Sequence, residues 1–250
     1  MMYYLNKISG NVFFRIIPAF LIWAGMTGCA SESPERESEQ QPGHVVEWRM
    51  LFDGTTTNGW RGYNRPDFPE EGWVVENGVL HCKGTGGGDI VFDETFKDVH
   101  LSLEWKISEG GNSGIFYLGQ EIEGQPIWMT APEMQILDNE NHPDALQGTD
   151  GNRKAGSLYD LIPAVPQNTH PFGEWNVAEV RIQNGHVIHR QNGEKVLEYH
   201  LESSEFKQLV QQSKFEDVPS FARYEAGVIG LQDHGDDVWF RNIKIKVLED

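Results

Sequence analysis

The chain has 250 residues, a mass of 28.4 kDa and a formal charge of −18. So acidic a chain argues against nucleic acid or anionic lipid as partner, since either demands a basic patch. Two cysteines exclude a disulfide framework and any zinc site of recognised spacing, while 27 glycines, 12 prolines and 8 tryptophans suit a turn-rich, aromatic-rich β protein.

Lys7 and Arg15 flank the start of a short apolar run at 16–24. That run is too short for a bilayer-spanning helix of about 20 residues. It leads into Met26-Thr27-Gly28-Cys29, which resembles a bacterial lipobox. The expectation is a lipoprotein signal peptide over 1–28, with Cys29 as the lipidated N-terminus. A plain secretory signal with a chance cysteine is the alternative. Residues 29–44, including SESPERESEQQ, carry almost no apolar content and read as a disordered acidic tether. Cleavage before Cys29 removes two positive charges, Lys7 and Arg15, and no acid, leaving −20. Any membrane attachment then rests on the acyl chains. The expected place is the bacterial cell envelope, as an outer-membrane lipoprotein on the periplasmic face or the cell surface.

From residue 45 to 250 there is no linker, composition break or internal repeat, and a single domain is the simplest reading. Residues 73–82 (WVVENGVLHC) read as a hairpin in which Cys82 is a small buried hydrophobe. Residues 99–107 alternate cleanly, with Val99, Leu101, Leu103, Trp105 and Ile107 on one face. Strands over 175–183, 186–191 and 194–200 are joined by Asn184-Gly185 and Asn192-Gly193, strong two-residue hairpin signals. Ser203 caps one short helix whose stripe is Phe206, Leu209, Val210 and Ser213. A strand over 238–247 closes the chain. Many short strands, Gly/Asn turns and one helix predict an all-β, two-sheet antiparallel jelly-roll sandwich. Trp60, Trp73, Trp105 and Trp239 lie in strand patterns and are expected in the core.

Residues 119–173 break this rhythm. They are rich in Gly, Pro, Asn and Asp, with one strand pattern near 133–137. Long irregular segments in a compact domain are functional or disordered. Trp128, Met134, Leu158, Tyr159 and Leu161 are too apolar for disorder, so these loops are expected to wall a cleft. Two strand patterns carry polar residues where a plain core strand would be apolar. In PEMQILDNE, Glu133 and Gln135 share a face. In GVIGLQDHGD, Val228, Gly230, Gln232 and His234 share another. Together they suggest a polar floor for a hydroxyl-rich ligand.

A series of motifs runs in order along the chain. Leu51-Phe52-Asp53-Gly54, Gly59-Trp60 and Gly87-Gly88-Asp89 come first. Leu103-Glu104-Trp105, Gly111-Asn112-Ser113-Gly114-Ile115-Phe116, Pro132-Glu133-Met134-Gln135 and Leu137-Asp138-Asn139-Glu140 follow. Ala155-Gly156-Ser157-Leu158-Tyr159-Asp160, Gly173-Glu174-Trp175-Asn176 and Leu231-Gln232-Asp233-His234-Gly235 complete it. In this order and spacing the chain resembles the 3-keto-disaccharide hydrolase domain family over roughly residues 47–248. The resemblance implies a concanavalin A-like jelly roll and action on glycosides already oxidised to a ketone at C3.

Such chemistry has a physical rationale. A C3 ketone acidifies the C2 proton; a base removes it, β-elimination expels the aglycone at C1, and water can then add to the enone. The site needs a base, donors for the enolate oxygen and an acid for the leaving group. His234 and Glu133 are the expected catalytic pair, with Glu133 able to serve as base or acid if its site is dry. Asn112, Gln135, Gln232 and Lys154 are candidate donors, and Trp128 and Tyr159 can stack on a sugar. Glu104 and Asp138 complete the expected substrate-binding set.

Two rival readings stay open. Glu133 and Asp138 sit in a bulged E-x-D-x-x-E-like frame of laminarinase-type retaining hydrolases, with Gln135 where that frame has Asp. A non-catalytic sugar-binding module would need the same donors and stacking rings but no base. No metal ligand set is recognised. The acidic run Asp233, Asp236 and Asp237 reads as turn-forming, or as oxygen ligands for Ca²⁺. No nicotinamide fingerprint is present, so C3 oxidation would belong to a separate enzyme. Nothing in the pattern specifies an oligomeric state.

Overall fold

Alternation and turn chemistry lay out two antiparallel sheets in the computed structural model, which describes residues 47–249. The expected signal peptide, Cys29 and the expected tether all lie outside the described residues. The strands are β1 (Arg49–Met50), β2 (Trp60–Gly62), β3 (Trp73–Glu76), β4 (Val79–Lys83), β5 (Ile90–Phe92), β6 (Val99–Ile107) and β7 (Asn112–Gly119). They continue with β8 (Glu133–Leu137), β9 (Asn176–Gln183), β10 (His186–Gln191), β11 (Glu194–His200), β12 (Val228–Leu231) and β13 (Asp237–Val247). The larger sheet has the order β11-β10-β9-β6-β13-β4-β3, with β1 also paired to β13. The smaller has the order β2-β5-β12-β7-β8. The expected all-β two-sheet sandwich is therefore what forms.

The hairpins form where Asn-Gly dictates them. Asn77-Gly78, Asn184-Gly185 and Asn192-Gly193 all have both residues at positive φ, the geometry that two-residue turns between twisted strands require. The one α-helix among the described residues, α1 (Ser204–Gln211), starts where Ser203 Oγ accepts a hydrogen bond from the Phe206 N–H at 3.1 Å. Its buried anchor is Phe206, whose ring stacks on Tyr199 of β11.

The sandwich core is made by one face of each sheet. From β6 it receives Val99, Leu101, Leu103, Trp105 and Ile107, all almost fully buried. The smaller sheet supplies Ile115, Tyr117, Met134, Ile136, Ile229 and Leu231. Each such aliphatic side chain contributes roughly 1.5–3 kcal/mol on burial. One polar chain crosses this core. His189 Nδ1 lies 3.0 Å from the Gly156 carbonyl, Tyr117 Oη 2.8 Å from His189 Nε2, and Tyr199 Oη 2.8 Å from Tyr117 Oη. With Nδ1–H donating to the carbonyl, Tyr117 donates to Nε2 and Tyr199 donates to Tyr117, so every group is satisfied. Burial holds the His189 imidazole down to about 4, so it is neutral.

The outer face of the larger sheet corrects two expectations. Trp60, Trp73 and Trp105 are core residues, but Trp239 lies half-buried on the outer face, stacked on His81 with Lys106 Nζ 4.5 Å from its ring. Glu104 alternates onto that same outer face, where Arg241 and Asn242 occupy its carboxylate at 2.6 and 2.5 Å. It is bound to the wrong face of the wrong sheet for contact with the cleft described next.

Candidate functional site

The face of the smaller sheet turned away from the sandwich core is the floor of a cleft. Pairing aligns Gln135 with Gly114 and Glu133 with Phe116 across β7 and β8. Gly230 of β12 stands opposite Phe116 on the other side. This face divides in two. At one end Val91, Phe116, Ile127, Ala131 and Val228 pack into a small apolar cluster under the loop that carries Trp128. At the other end the floor is polar, with Asn112, Glu133, Gln135 and Gln232. A face that does not enter the core can carry such residues at strand positions, which is why the period-2 pattern survives with polar side chains in it.

The walls come from loops. Trp128 stands on the short 3₁₀ turn Ile127–Met129, and Tyr159 on the irregular segment after β8. Lys214, Phe215 and Phe221 come from the segment after α1, with the two phenyl rings stacked 3.8 Å apart. Asp89, Asp233 and His234 close the polar end. The enclosed volume is about 310 Å³, at the lower end of the range for small-ligand sites.

The electrostatics of the floor set its chemistry. Burial pushes the Glu133 carboxyl up to about 8, with Lys214 pulling it down and Asp89 and Asp144 pushing it further up. Gln135 secures it: with its amide nitrogen turned toward Glu133, it donates to Oε1 at 2.9 Å and to the Ser113 carbonyl at 3.0 Å. The other end of that carboxamide lies 3.3 Å from Asn112 Oδ1. Burial also raises Asp89, to about 6, although its Oδ1 accepts the Asp233 N–H at 3.0 Å. Burial thus sets the two carboxyls apart, with Glu133 the one that keeps its proton at neutral pH. Gln232 Oε1 is buried with no hydrogen-bond partner among the described residues, an acceptor for a ligand hydroxyl.

Around this floor the walls are braced. Tyr159 donates to Asp144 Oδ2 at 2.8 Å, and Arg153 holds Asp144 and Asp160 at 2.8 and 2.5 Å. Burial, reinforced by Asp144, raises the Tyr159 phenol well above its usual range, so its proton stays on. His142 Nδ1 accepts the Asp144 N–H at 3.1 Å, and its ring meets that of His234 nearly edge-on at 6.4 Å.

Seven of the ten expected site residues line the cleft: Asn112, Trp128, Glu133, Gln135, Tyr159, Gln232 and His234. Three do not. Glu104 is on the far sheet. Asp138 is buried, but its carboxylate accepts the Gly110 N–H at 2.8 Å, the Glu140 N–H at 3.1 Å and the Asn141 amide at 2.7 Å. It fixes the turns beside β7 and β8, so the bulged frame 133–138 does not aim two carboxyls into one cleft. Lys154 lies in the turn 151–157, outside the lining. The acidic run is likewise spent on donors. Asp233 accepts the Gly88 and Gly235 N–H groups, Asp236 accepts the Asn112 N–H, and Asp237 faces His81.

The sequence alone assigns no role to Asp89, Ala131, Lys214, Phe215 or Phe221. Asp89 ends the Gly87-Gly88-Asp89 motif, and its value is hidden in the sequence because only pairing of β5 with β12 brings it to Asp233. Lys214 and Phe215 follow a helix with no periodic signal of their own.

The family model for the 3-keto-alpha-glucoside-1,2-lyase-like domain matches residues 47–246. The chain is 46% identical to the 3-keto-disaccharide hydrolase of Bacteroides thetaiotaomicron, over 87% of this chain and 84% of that protein. A crystal structure from Parabacteroides distasonis, provisionally named a glycosyl hydrolase, superposes with a TM-score of 0.73 at 32% identity, over 81% of this chain and 94% of the other. A second from the same organism, similarly named, gives 0.63 at 25% identity, over 81% and 100%.

Proposed function

We propose a function from one premise: the chain belongs to the family of 3-keto-alpha-glucoside-1,2-lyase-like domains. It is a carbohydrate-active enzyme of the hydrolytic kind. Its substrate is a glycoside oxidised at C3, cleaved by elimination and rehydration to give net hydrolysis. The observation that carries this reading is the Glu133 carboxyl, buried on a hydrogen-bonding floor and raised to about 8.

The steps follow from the geometry. Below its raised pKa Glu133 holds its proton, so it is the acid rather than the base. His234, exposed at the polar rim, takes the C2 proton. The C2–H electrons form the C2–C3 double bond, and the ketone oxygen becomes an enolate. Those electrons then return, the C1–O bond breaks, and the leaving oxygen takes the Glu133 proton. The products are an enone and the free aglycone; water adds to the enone afterwards. Asn112, Gln135 and Gln232 bind hydroxyls of the sugar, and Trp128 and Tyr159 flank it. A retaining double displacement through Glu133 and Asp138 lacks its second carboxyl in the cleft.

The lipobox at 26–29 supports a lipid anchor on Cys29 and a place in the cell envelope. Mass spectrometry of the membrane fraction for a diacylated Cys29 peptide tests that assignment.

The decisive assay uses a 3-keto glucoside with a chromogenic aglycone beside its parent glucoside. Release from the keto compound alone, lost in Glu133→Gln and in His234→Ala, supports the reading. Release from the parent glucoside at comparable rate overturns it in favour of direct hydrolysis. Sugar binding without release from either overturns it in favour of a binding module.

A further inference from the structure

The cleft gathers carboxyl groups around a reaction that itself creates negative charge. Asp89 and Asp233 stand at its polar end, and Asp144 lies behind Tyr159. Enolate formation adds another negative charge in the same confined space. A site of this kind requires a fixed positive centre where the charge develops. Among the described residues Lys214 is the one lysine or arginine that lines the cleft.

Its position is prepared in advance. Nζ lies 4.0 Å from the Tyr159 ring centroid and 5.0 Å from that of Phe215. The Tyr159 ring is itself locked by Asp144, and Arg153 lies 5.5 Å from its centroid. Contact with ring faces holds an ammonium without consuming its N–H donors. Among the described residues those donors make no hydrogen bond and no close ion pair. The neighbouring guanidinium of Arg153 is already committed to Asp144 and Asp160. Burial, with Arg153, lowers the Lys214 ammonium from its ordinary range, and the carboxylates of Asp160 and Asp144 work against that.

Resting on the keto-glycoside reading, we propose that Lys214 is a catalytic residue whose ammonium donates to the C3 oxygen and holds the negative charge that oxygen gains as the C2 proton leaves. No proton changes hands in this step. The C2–H electrons pass to C3–O while the proton goes to His234, and Lys214 stays an ammonium throughout. The role expected of Lys154 from the sequence thus falls to a lysine sixty residues further on in the chain.

The test compares wild type, Lys214→Met and Lys214→Arg on the chromogenic 3-keto glucoside, with melting curves to confirm folding. Lys214→Met should lose roughly 10²–10³-fold in kcat with little change in KM, the loss seen when one oxyanion donor is removed. Lys214→Arg, which keeps the charge, should recover a substantial part. A second readout uses 1,5-anhydro-3-keto-glucitol, which has no aglycone to lose. Wild type should exchange its C2 proton in D₂O, and Lys214→Met should not. Three results overturn the assignment. Unchanged kcat with raised KM would make Lys214 an aglycone contact. Unimpaired C2 exchange in Lys214→Met would free the enolate from it. A borohydride-trapped adduct on Lys214 would replace charge stabilisation by an iminium mechanism. In all three the keto-glycoside reading stands. An inactive wild type on both keto compounds would overturn that reading and this assignment together.

Discussion

The Glu133 carboxyl lies over Gly114, in the space a side chain there would fill. A Cβ on Gly114 would stand 2.3 Å from Glu133 Oε1 and 2.8 Å from Cδ. The glycine in Gly111-Asn112-Ser113-Gly114 is therefore a seat for the acid, and its own backbone dihedrals would accept alanine. Because the clashing atoms are the far end of a side chain, Gly114→Ala should fold with a near-native melting temperature. The displaced carboxyl should cost roughly 10²-fold in kcat/KM, the scale of a 1 Å misplacement. A variant with full activity would show that Glu133 does not need this position.

Stability should respond to pH through two buried groups of opposite sign. Glu133 binds its proton more tightly folded than unfolded, so its share of stability is present below 4.5 and lost as pH rises to about 8. Converted directly, that is about 5 kcal/mol as an upper figure. His189 is neutral in the fold, so stability falls as pH drops from 6.5 toward 4. Calorimetry across pH 4–9 should find a maximum between these limbs. Glu133→Gln should flatten the alkaline limb alone; parallel curves for the two proteins would refute the buried-acid assignment.

Activity should carry the same signature. With Glu133 as acid, kcat/KM on the keto substrate falls about tenfold per pH unit above roughly pH 8. Glu133→Gln should be slow and lack that limb. A pH–rate profile unaffected by the substitution would move the limb to another group.

The chain through the core predicts an asymmetry between two tyrosines. Tyr199→Phe removes only a terminal donor and should cost about 1 kcal/mol. Tyr117→Phe strands both His189 Nε2 and the Tyr199 hydroxyl and should cost about 2–3 kcal/mol. Denaturant unfolding of both variants measures the difference; equal costs would reject the donor order given above.

Trp128 is 38% exposed on the cleft wall and tilts toward Phe215 at 6.5 Å. As a stacking surface rather than a chemical group, it should act on binding. Trp128→Ala should raise KM roughly 5–30-fold, about 1–2 kcal/mol, while kcat stays within a few-fold. A collapse of kcat instead would give the indole a part in the chemistry.

The strands, hairpins, capped helix and polar floor were legible because each depends on local rules. Alternation placed Glu133 with Gln135, and Asn-Gly placed the turns. Glu104 and Asp138 misled because a polar residue on a strand has two faces, and sequence does not say which faces a cleft. Trp239 misled the same way. Lys154 and Lys214 show the remaining limit: loops carry no period, and only tertiary packing selects which lysine lines the cleft.

Lys214 and Phe215 are neighbours in the chain, one supplying charge and the other a wall. Selectivity and turnover are thereby wired to the same few residues of backbone. Remodelling that segment to admit a bulkier leaving group would also re-aim the ammonium. Drift toward new substrates should therefore pass through slow intermediates unless both positions change together. Trp128, on a separate loop, is the place where preference can be tuned with the reaction left intact.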